Sequence, residues 1–257
     1  MKLFDLTGKV AVITGSSRGI GRAIAEAMAD HGAKVVISSR KKEACDLVVE
    51  AINEKHPGAA IAVPANISSK DELKALVTSS KAHFGHIDIL VCNAAANPYF
   101  GPMAGISDEQ FRKIFENNVL ANHWLIAMTA PDMLARKDGS IIIISSIGGL
   151  KASTSIGAYN VSKAADFQLA RNLAAEFGPS GVRVNCIAPG LIRTDFARAL
   201  WEDEATLKQM TRTTPLRRIG EPFEIAGTAV YLASPASSFM TGQAIVVDGG
   251  VTIGGEF

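Results

Sequence analysis

Residues 9–14 form a short β-rich apolar run, and Gly15-Ser16-Ser17-Arg18-Gly19-Ile20-Gly21 follows it with no spacer. Residues 22–31 are then rich in alanine and suit a helix. A buried strand, a glycine turn and a helix in that order open a nucleotide-binding βαβ unit. Glycines there let backbone approach a pyrophosphate, and the helix start offers free N–H groups and a positive dipole end. The spacing is GxxxGxG, which departs from the GxGxxG fingerprint. Taken alone, the turn also fits a plain strand-to-helix connection, but its place between a strand and a helix favours the nucleotide.

The second apolar run, residues 34–39, ends at Ser39-Arg40-Lys41-Lys42, with no acid before Glu43. In such units an acid at this point bonds the ribose 2′-hydroxyl of NAD, whereas a basic residue accommodates the 2′-phosphate of NADP. Cations in the first turn of a helix oppose its dipole, at about 0.3–1 kcal/mol each. A rule broken where a phosphate would sit predicts NADP(H) as the preferred coenzyme, with NAD(H) as the alternative. Arg18, inside the glycine turn, is a second candidate for that phosphate.

Further along, the patterns predict a helix over 43–55, a strand over 59–64 and a helix to about residue 84, opened by a Ser69/Glu72 capping box. A strand over 86–92 leads into the small-residue turn Asn93-Ala94-Ala95-Ala96. Strands alternating with helices argue for an α/β fold with a doubly wound parallel sheet. Right-handed crossovers then place every strand-to-helix loop on one edge, where ligands bind. The loop 97–103 carries Tyr99 and Phe100 and suits a substrate wall or simple packing on a neighbouring helix. A long helical stretch over 109–134 is interrupted at Asn117-Asn118, which predicts a kink and a bound water, since a buried amide needs partners. The most apolar strand, 140–144, ends at Ser145-Ser146.

Tyr159 and Lys163 are four residues apart at the start of the next helix, which runs to about residue 177. That spacing puts them on one face, about 5–6 Å apart at Cβ. A phenol beside an ammonium is an acid/base device, because the cation favours the phenolate. By itself the pair also fits a half-buried tyrosine beside a solvated lysine. A sixth strand over 182–188 is broken by Pro189-Gly190. An irregular stretch at 191–216 follows, with Phe196, Leu200, Trp201, Leu207 and Met210 as its large apolar members, and it predicts a lid over the ligand edge. A helix over 221–232 and a strand over 244–247 close the pattern. One domain over residues 1–257 is the simplest division.

Composition narrows the partners. The formal net charge is +1, which gives no electrostatic case for nucleic acid or an anionic membrane. No apolar run reaches spanning length. Cys45, Cys92 and Cys186 show neither a disulfide framework nor zinc spacing, so no metal site is expected. The start of the chain has acid and turn residues where a signal peptide needs an apolar run, and the end, Gly254-Gly255-Glu256-Phe257, lacks a peroxisomal tripeptide. A soluble cytoplasmic protein acting on a small carbonyl or alcohol is expected.

With Thr14-Gly15-xxx-Gly19-x-Gly21, Asn93-Ala94, Asn118, Ser146, Tyr159-xxx-Lys163 and Pro189-Gly190 in this order, the chain resembles the short-chain dehydrogenases/reductases over essentially its whole length. The resemblance implies a Rossmann-type fold with a seven-stranded parallel sheet and a homotetramer built through long helices and the last strand. It implies a catalytic set of Asn118, Ser146, Tyr159 and Lys163. It also implies a coenzyme site of Thr14, Gly15, Ser17, Arg18, Gly19, Ile20, Gly21, Ser39, Arg40, Asn66, Ile67, Asn93, Ala94, Tyr159, Lys163, Pro189, Gly190, Ile192 and Thr194. The loops at 93–101 and 185–194 resemble those of the NADPH-dependent carbonyl reductase branch, related to the 3-oxoacyl carrier-protein reductases. Two positions depart from the family pattern: Ala95 stands where a glycine is frequent, and Asn66 where an aspartate is usual.

The reaction so implied is reversible hydride transfer between NADPH and a ketone or aldehyde carbon, with Tyr159 exchanging the proton. Ser146 is expected to orient the carbonyl oxygen, Lys163 to bond the ribose, and Asn118 to hold a water. Three alternatives remain: a 3-oxoacyl thioester reductase, a polyol or sugar dehydrogenase, and a non-enzymatic dinucleotide sensor.

Overall fold

The structure is a computed structural model and describes residues 2–254; Met1 and the C-terminal tripeptide lie outside the described residues. The seven strands are β1 (Val10–Thr14), β2 (Lys34–Ser38), β3 (Ala60–Ala62), β4 (Ile89–Cys92), β5 (Gly139–Ile144), β6 (Val182–Pro189) and β7 (Ala244–Val247). They form one sheet in the order β3-β2-β1-β4-β5-β6-β7. Every pairing is parallel. The order reverses direction between β1 and β4, which opens a crevice at the C-terminal ends of those strands.

Side chains alternate across the sheet with the period of two that a pleated strand imposes. Ala11, Ile13, Val35, Ile37, Ile89 and Val91 pack on one face with Ile24 and Met28 of α1 (Gly19–Asp30), Val48 of α2 (Lys42–Lys55) and Ile225 of the last long helix. Val12, Val36 and Leu90 pack on the other with Leu73 of α3 (Lys70–Phe84), Leu125 and Met133 of a central helix, and Phe167 of the Tyr159 helix. Both faces are buried, so the inner strands read as continuous apolar runs. Asp88, at the N-terminal edge, is satisfied by Val10 N–H and Arg136. That edge is stitched shut, and the functional candidates sit at the opposite one.

Two predicted features take a more regular form than expected. The interruption at Asn117-Asn118 is one π-helical turn, Glu116–Leu120, set between α4 (Asp108–Phe115) and α5 (Ala121–Arg136). It widens the helix by a residue without ending it. The stretch at 191–216 holds a 3₁₀ turn at Asp195–Ala197 and two short helices, α7 (Arg198–Trp201) and α8 (Glu204–Arg212), before α9 (Pro222–Ala233). The Ser69/Glu72 capping box is half formed. Ser69 Oγ accepts from Glu72 N–H, while the Glu72 carboxylate accepts from Asn66 N–H instead of Ser69.

Candidate active site

The glycine turn joins β1 to α1, and its geometry explains its composition. Gly15 sits at φ +66°, a left-handed conformation that disfavours other residues. At Gly21 a Cβ would lie 2.5 Å from Gly15 O and 2.6 Å from Asn93 Nδ2. The helix behind the turn starts without a side-chain cap and without an acid in its first turn. Its first N–H groups are therefore left for an anion.

Thr14 and Asn93 lock the two strands that flank the crevice. Thr14 Oγ1 accepts from the N–H groups of Asn93 and Ala94 at 3.0 and 3.1 Å. Asn93 Nδ2 donates to Thr14 O at 2.8 Å. Ser16, which sequence reasoning passed over in favour of Ser17, is fully buried and bridges β1 to β2 through Ile13 O and Ser38 N–H. Ser17 and Ile20 are half-buried on the turn itself.

Beyond β2, Ser39 is half-buried against the Cys45 thiol, and Arg40 is exposed. Among the described residues Arg40 has no ion-pair partner, whereas Lys42 pairs with Asp46 one turn along α2. The dipole conflict read from the sequence is thus relieved at Lys42 and left open at Arg40. Arg18 is not free in the same sense, because its guanidinium donates to Asp195 of the 191–216 stretch at 3.1 Å. Asn66 accepts from Ser68 N–H with its side-chain oxygen, an Asx turn, and Ile67 is half-buried beside it. Pro189 and Gly190 end β6 against β7, Ile192 is buried, and Thr194 abuts Gly19, whose absent Cβ would lie 3.2 Å from its methyl.

The second half of the site lies at the ends of β5 and of α6 (Gly157–Phe177). Ser146 follows β5 and accepts from Gly148 N–H. Tyr159 is half-buried and Lys163 is 2% exposed. The Lys163 Nζ lies 5.7 Å from the centroid of the Tyr159 ring and donates to Ile144 O at 2.9 Å. The solvated-lysine alternative is therefore excluded. Phe196 of the 191–216 stretch brings its ring centroid to 6.1 Å from that of Tyr159. The Trp201 indole N–H instead donates to Thr194 O within the same stretch at 2.9 Å.

Asn118 is fully buried, and the π turn aims its amide at the loop after β4. Its Oδ1 accepts from Ala96 N–H at 2.8 Å, and its Nδ2 donates to Ala96 O and to Ser162 Oγ, both at 3.0 Å. The side chain clamps the β4 loop to α6. Two more residues were missed from sequence. Asp166 and Asn122 are buried at i+3 from Lys163 and i+4 from Asn118. Asp166 Oδ2 accepts from Lys163 Nζ at 3.1 Å, and Asn122 Nδ2 donates to Asp166 Oδ1 at 3.2 Å. The helical spacing was the available signal.

Burial raises the Tyr159 pKa above that of an ordinary phenol, and this outweighs the lowering by the Lys163 ammonium and by Ser146; Asp166 adds to the rise. The expected lowering by Lys163 is thus present but smaller than the cost of burying a phenolate. Burial alone would lower the Lys163 pKa, but the Asp166 carboxylate holds it raised.

A dinucleotide crevice with an anion-ready helix start, facing a tyrosine beside a buried lysine, defines the class of nicotinamide-dependent oxidoreductases. A family profile described as Enoyl-(Acyl carrier protein) reductase matches residues 15–252. The chain belongs to the short-chain dehydrogenase/reductase family. Dehydrogenase/reductase SDR family member 4 of Bos taurus is 43% identical over 249 residues, which span 95% of this chain and 88% of the relative. A gluconate 5-dehydrogenase from Burkholderia cenocepacia J2315, solved in complex with NADP and tartrate, superposes with a TM-score of 0.92. It is 32% identical, over 97% of each chain. A 7α-hydroxysteroid dehydrogenase complexed with NADH and 7-oxo glycochenodeoxycholic acid gives 0.91 at 37% identity, over 96% of this chain and 95% of that one. The chain is accordingly an NAD(P)-dependent dehydrogenase/reductase, and the sensor alternative falls. Among the described residues no group of side chains could hold a metal, and no helix is long and apolar enough to cross a membrane.

Proposed function

We propose that this enzyme reduces a ketone or aldehyde to the alcohol, reversibly, with NADPH as its preferred coenzyme. The carrying observation is the buried Lys163 ammonium 5.7 Å from the Tyr159 ring at the ligand edge. The glycine turn, the uncapped start of α1, Asn93 and Arg40 fit a dinucleotide with an extra phosphate. Thr14, Gly15, Ser17, Arg18, Gly19, Ile20, Gly21, Ser39, Asn66, Ile67, Ala94, Pro189, Gly190, Ile192 and Thr194 complete the cradle. NADP bound to the gluconate dehydrogenase supports the same choice. When bound, the coenzyme supplies or accepts the hydride.

Tyr159 holds its proton at neutral pH, as an ordinary phenol does, and burial, which raises its pKa, reinforces this; it can deliver that proton to a carbonyl oxygen. Ser146, two residues past the end of β5, orients that oxygen. Lys163 binds the ribose and favours the phenolate once the proton has left. Asn118 fixes the β4 loop against α6, which sets the distance between the two halves of the site. The stretch 191–216 is the lid of a single domain, and Phe196 beside Tyr159 supports an apolar substrate wall there. Exposed Phe239 and an edge strand with two exposed apolar residues support a homotetramer. Three free, buried cysteines support a reducing, cytoplasmic setting.

Tyr159→Phe should reduce turnover at least about 100-fold while NADPH binding persists; turnover above about a tenth of wild type would sink the assignment. A screen of ketones, 3-oxoacyl thioesters and polyols with both coenzymes then separates the carbonyl reductase from its alternatives. Faster turnover of thioesters or polyols than of any simple ketone or aldehyde would overturn the substrate class.

A further inference from the structure

We propose that Asp166 is a positioning residue for the reaction: it is the buried counter-ion that keeps the Lys163 ammonium charged and in place beside Tyr159, with Asn122 fixing the carboxylate in turn. This rests on the acid/base reading of Tyr159 and Lys163. The geometry that carries it is a closed chain of contacts. Lys163 Nζ has two partners among the described residues, Asp166 Oδ2 at 3.1 Å and Ile144 O at 2.9 Å. Only the first is an anion. The other carboxylate oxygen accepts from Asn122 Nδ2 at 3.2 Å, and that amide also donates to Asn118 O at 2.6 Å. The π turn is thereby tied to the lysine through two buried side chains.

Stability does not explain the pair. Asp166 is 0% exposed and Lys163 2%, and a dry ion pair typically gives no more stability than well-packed apolar residues of the same volume. Among the described residues, the titratable groups facing the pair besides Tyr159 are Cys92 of β4 and Cys186 of β6, and burial keeps both thiols protonated by raising their pKa values. Neither can serve as the counter-ion. A lysine buried without one loses several pH units of basicity and becomes neutral in the working range. A neutral Lys163 would no longer favour the Tyr159 phenolate.

Asp166 also acts on Tyr159 directly, in the opposite sense, because a nearby carboxylate raises the phenol's pKa. The lysine's pull on the phenol exceeds that push. Losing the ammonium therefore outweighs losing the carboxylate, and the sign of the test is set. In alcohol oxidation Tyr159 works as the base, so kcat/KM rises with pH as the phenol ionises.

The test is the pH profile of alcohol oxidation in Asp166→Asn, which keeps shape and a partner for Asn122. The rise should move to higher pH by about one unit or more, and Asp166→Glu should restore it in part. A profile that coincides with wild type, or moves to lower pH, overturns the proposal. Tyr159→Phe runs beside it. If that variant stays active, the acid/base reading has failed; if it is dead and Asp166→Asn is unshifted, only the Asp166 proposal has. NADPH binding reports folding, and Asp166→Ser stands in should Asn fail to fold. Independently of activity, the Lys163 side-chain ¹⁵N signal should titrate above the range of an ordinary lysine in the wild type and below it in Asp166→Asn. Titration of Lys163 below that range with Asp166 in place would also overturn it.

Discussion

At the scale of single residues, the site depends on what is absent at Gly21 as much as on what is present elsewhere. A methyl there would press on Gly15 O at 2.5 Å and on Asn93 Nδ2 at 2.6 Å. Neither neighbour is a flexible side-chain end, since Asn93 is held by Thr14 O. Gly21→Ala should therefore destabilise the protein by about 1–3 kcal/mol and weaken coenzyme binding, as read by denaturant unfolding and an NADPH titration. Unchanged stability would show that the turn can relax. The requirement was legible in the sequence as a glycine after a strand, although the spacing departed from the usual fingerprint. Asp166 and Asn122 were not legible in the same way. Each lies in a helical stretch where a polar residue ordinarily faces water, and only the packing of α5 on α6 turns both inward.

At the scale of elements, the end of β2 separates the two coenzymes. Lys42 finds Asp46, but Arg40 is left exposed where the strand runs out. A charge-assisted contact to a phosphate is worth about 1.5–3 kcal/mol, or roughly 10–100-fold in affinity. Arg40→Glu should raise the NADPH Kd by about that factor and change the NADH Kd little. Equal losses for both coenzymes would remove Arg40 from the phosphate site. Strand and helix identities were readable here because apolar period and turn residues agree. The π turn at Glu116–Leu120 was readable only as a disturbance, since two amides in an apolar run signal irregularity without giving its geometry. The stretch at 191–216 was legible as a long connection. Its helices were not, because α7 has four residues and α8 nine, too short for periodicity to stand out.

At the scale of the whole molecule, the remaining question is what covers the far edge of the sheet. β7 closes one side, and Ala244 and Val246 are its exposed residues, so an apolar strand edge faces outward. Phe239, just before it, has its full surface exposed, and Val246 is 38% exposed. A lone edge of this kind is prone to pair with other chains unless it is covered. The tetramer proposed above would cover it with a second copy. Phe239→Asp tests this cleanly, since a fully exposed side chain makes little contribution to its own fold, whereas a charge set into an apolar interface is costly. Light scattering should find the four-chain assembly in the wild type and a smaller one in the variant, with thermal unfolding shifted to lower temperature through the lost association. A variant that keeps the wild-type mass would place the interface elsewhere on the molecule. A monomeric wild type would leave the edge uncovered and overturn the tetramer outright.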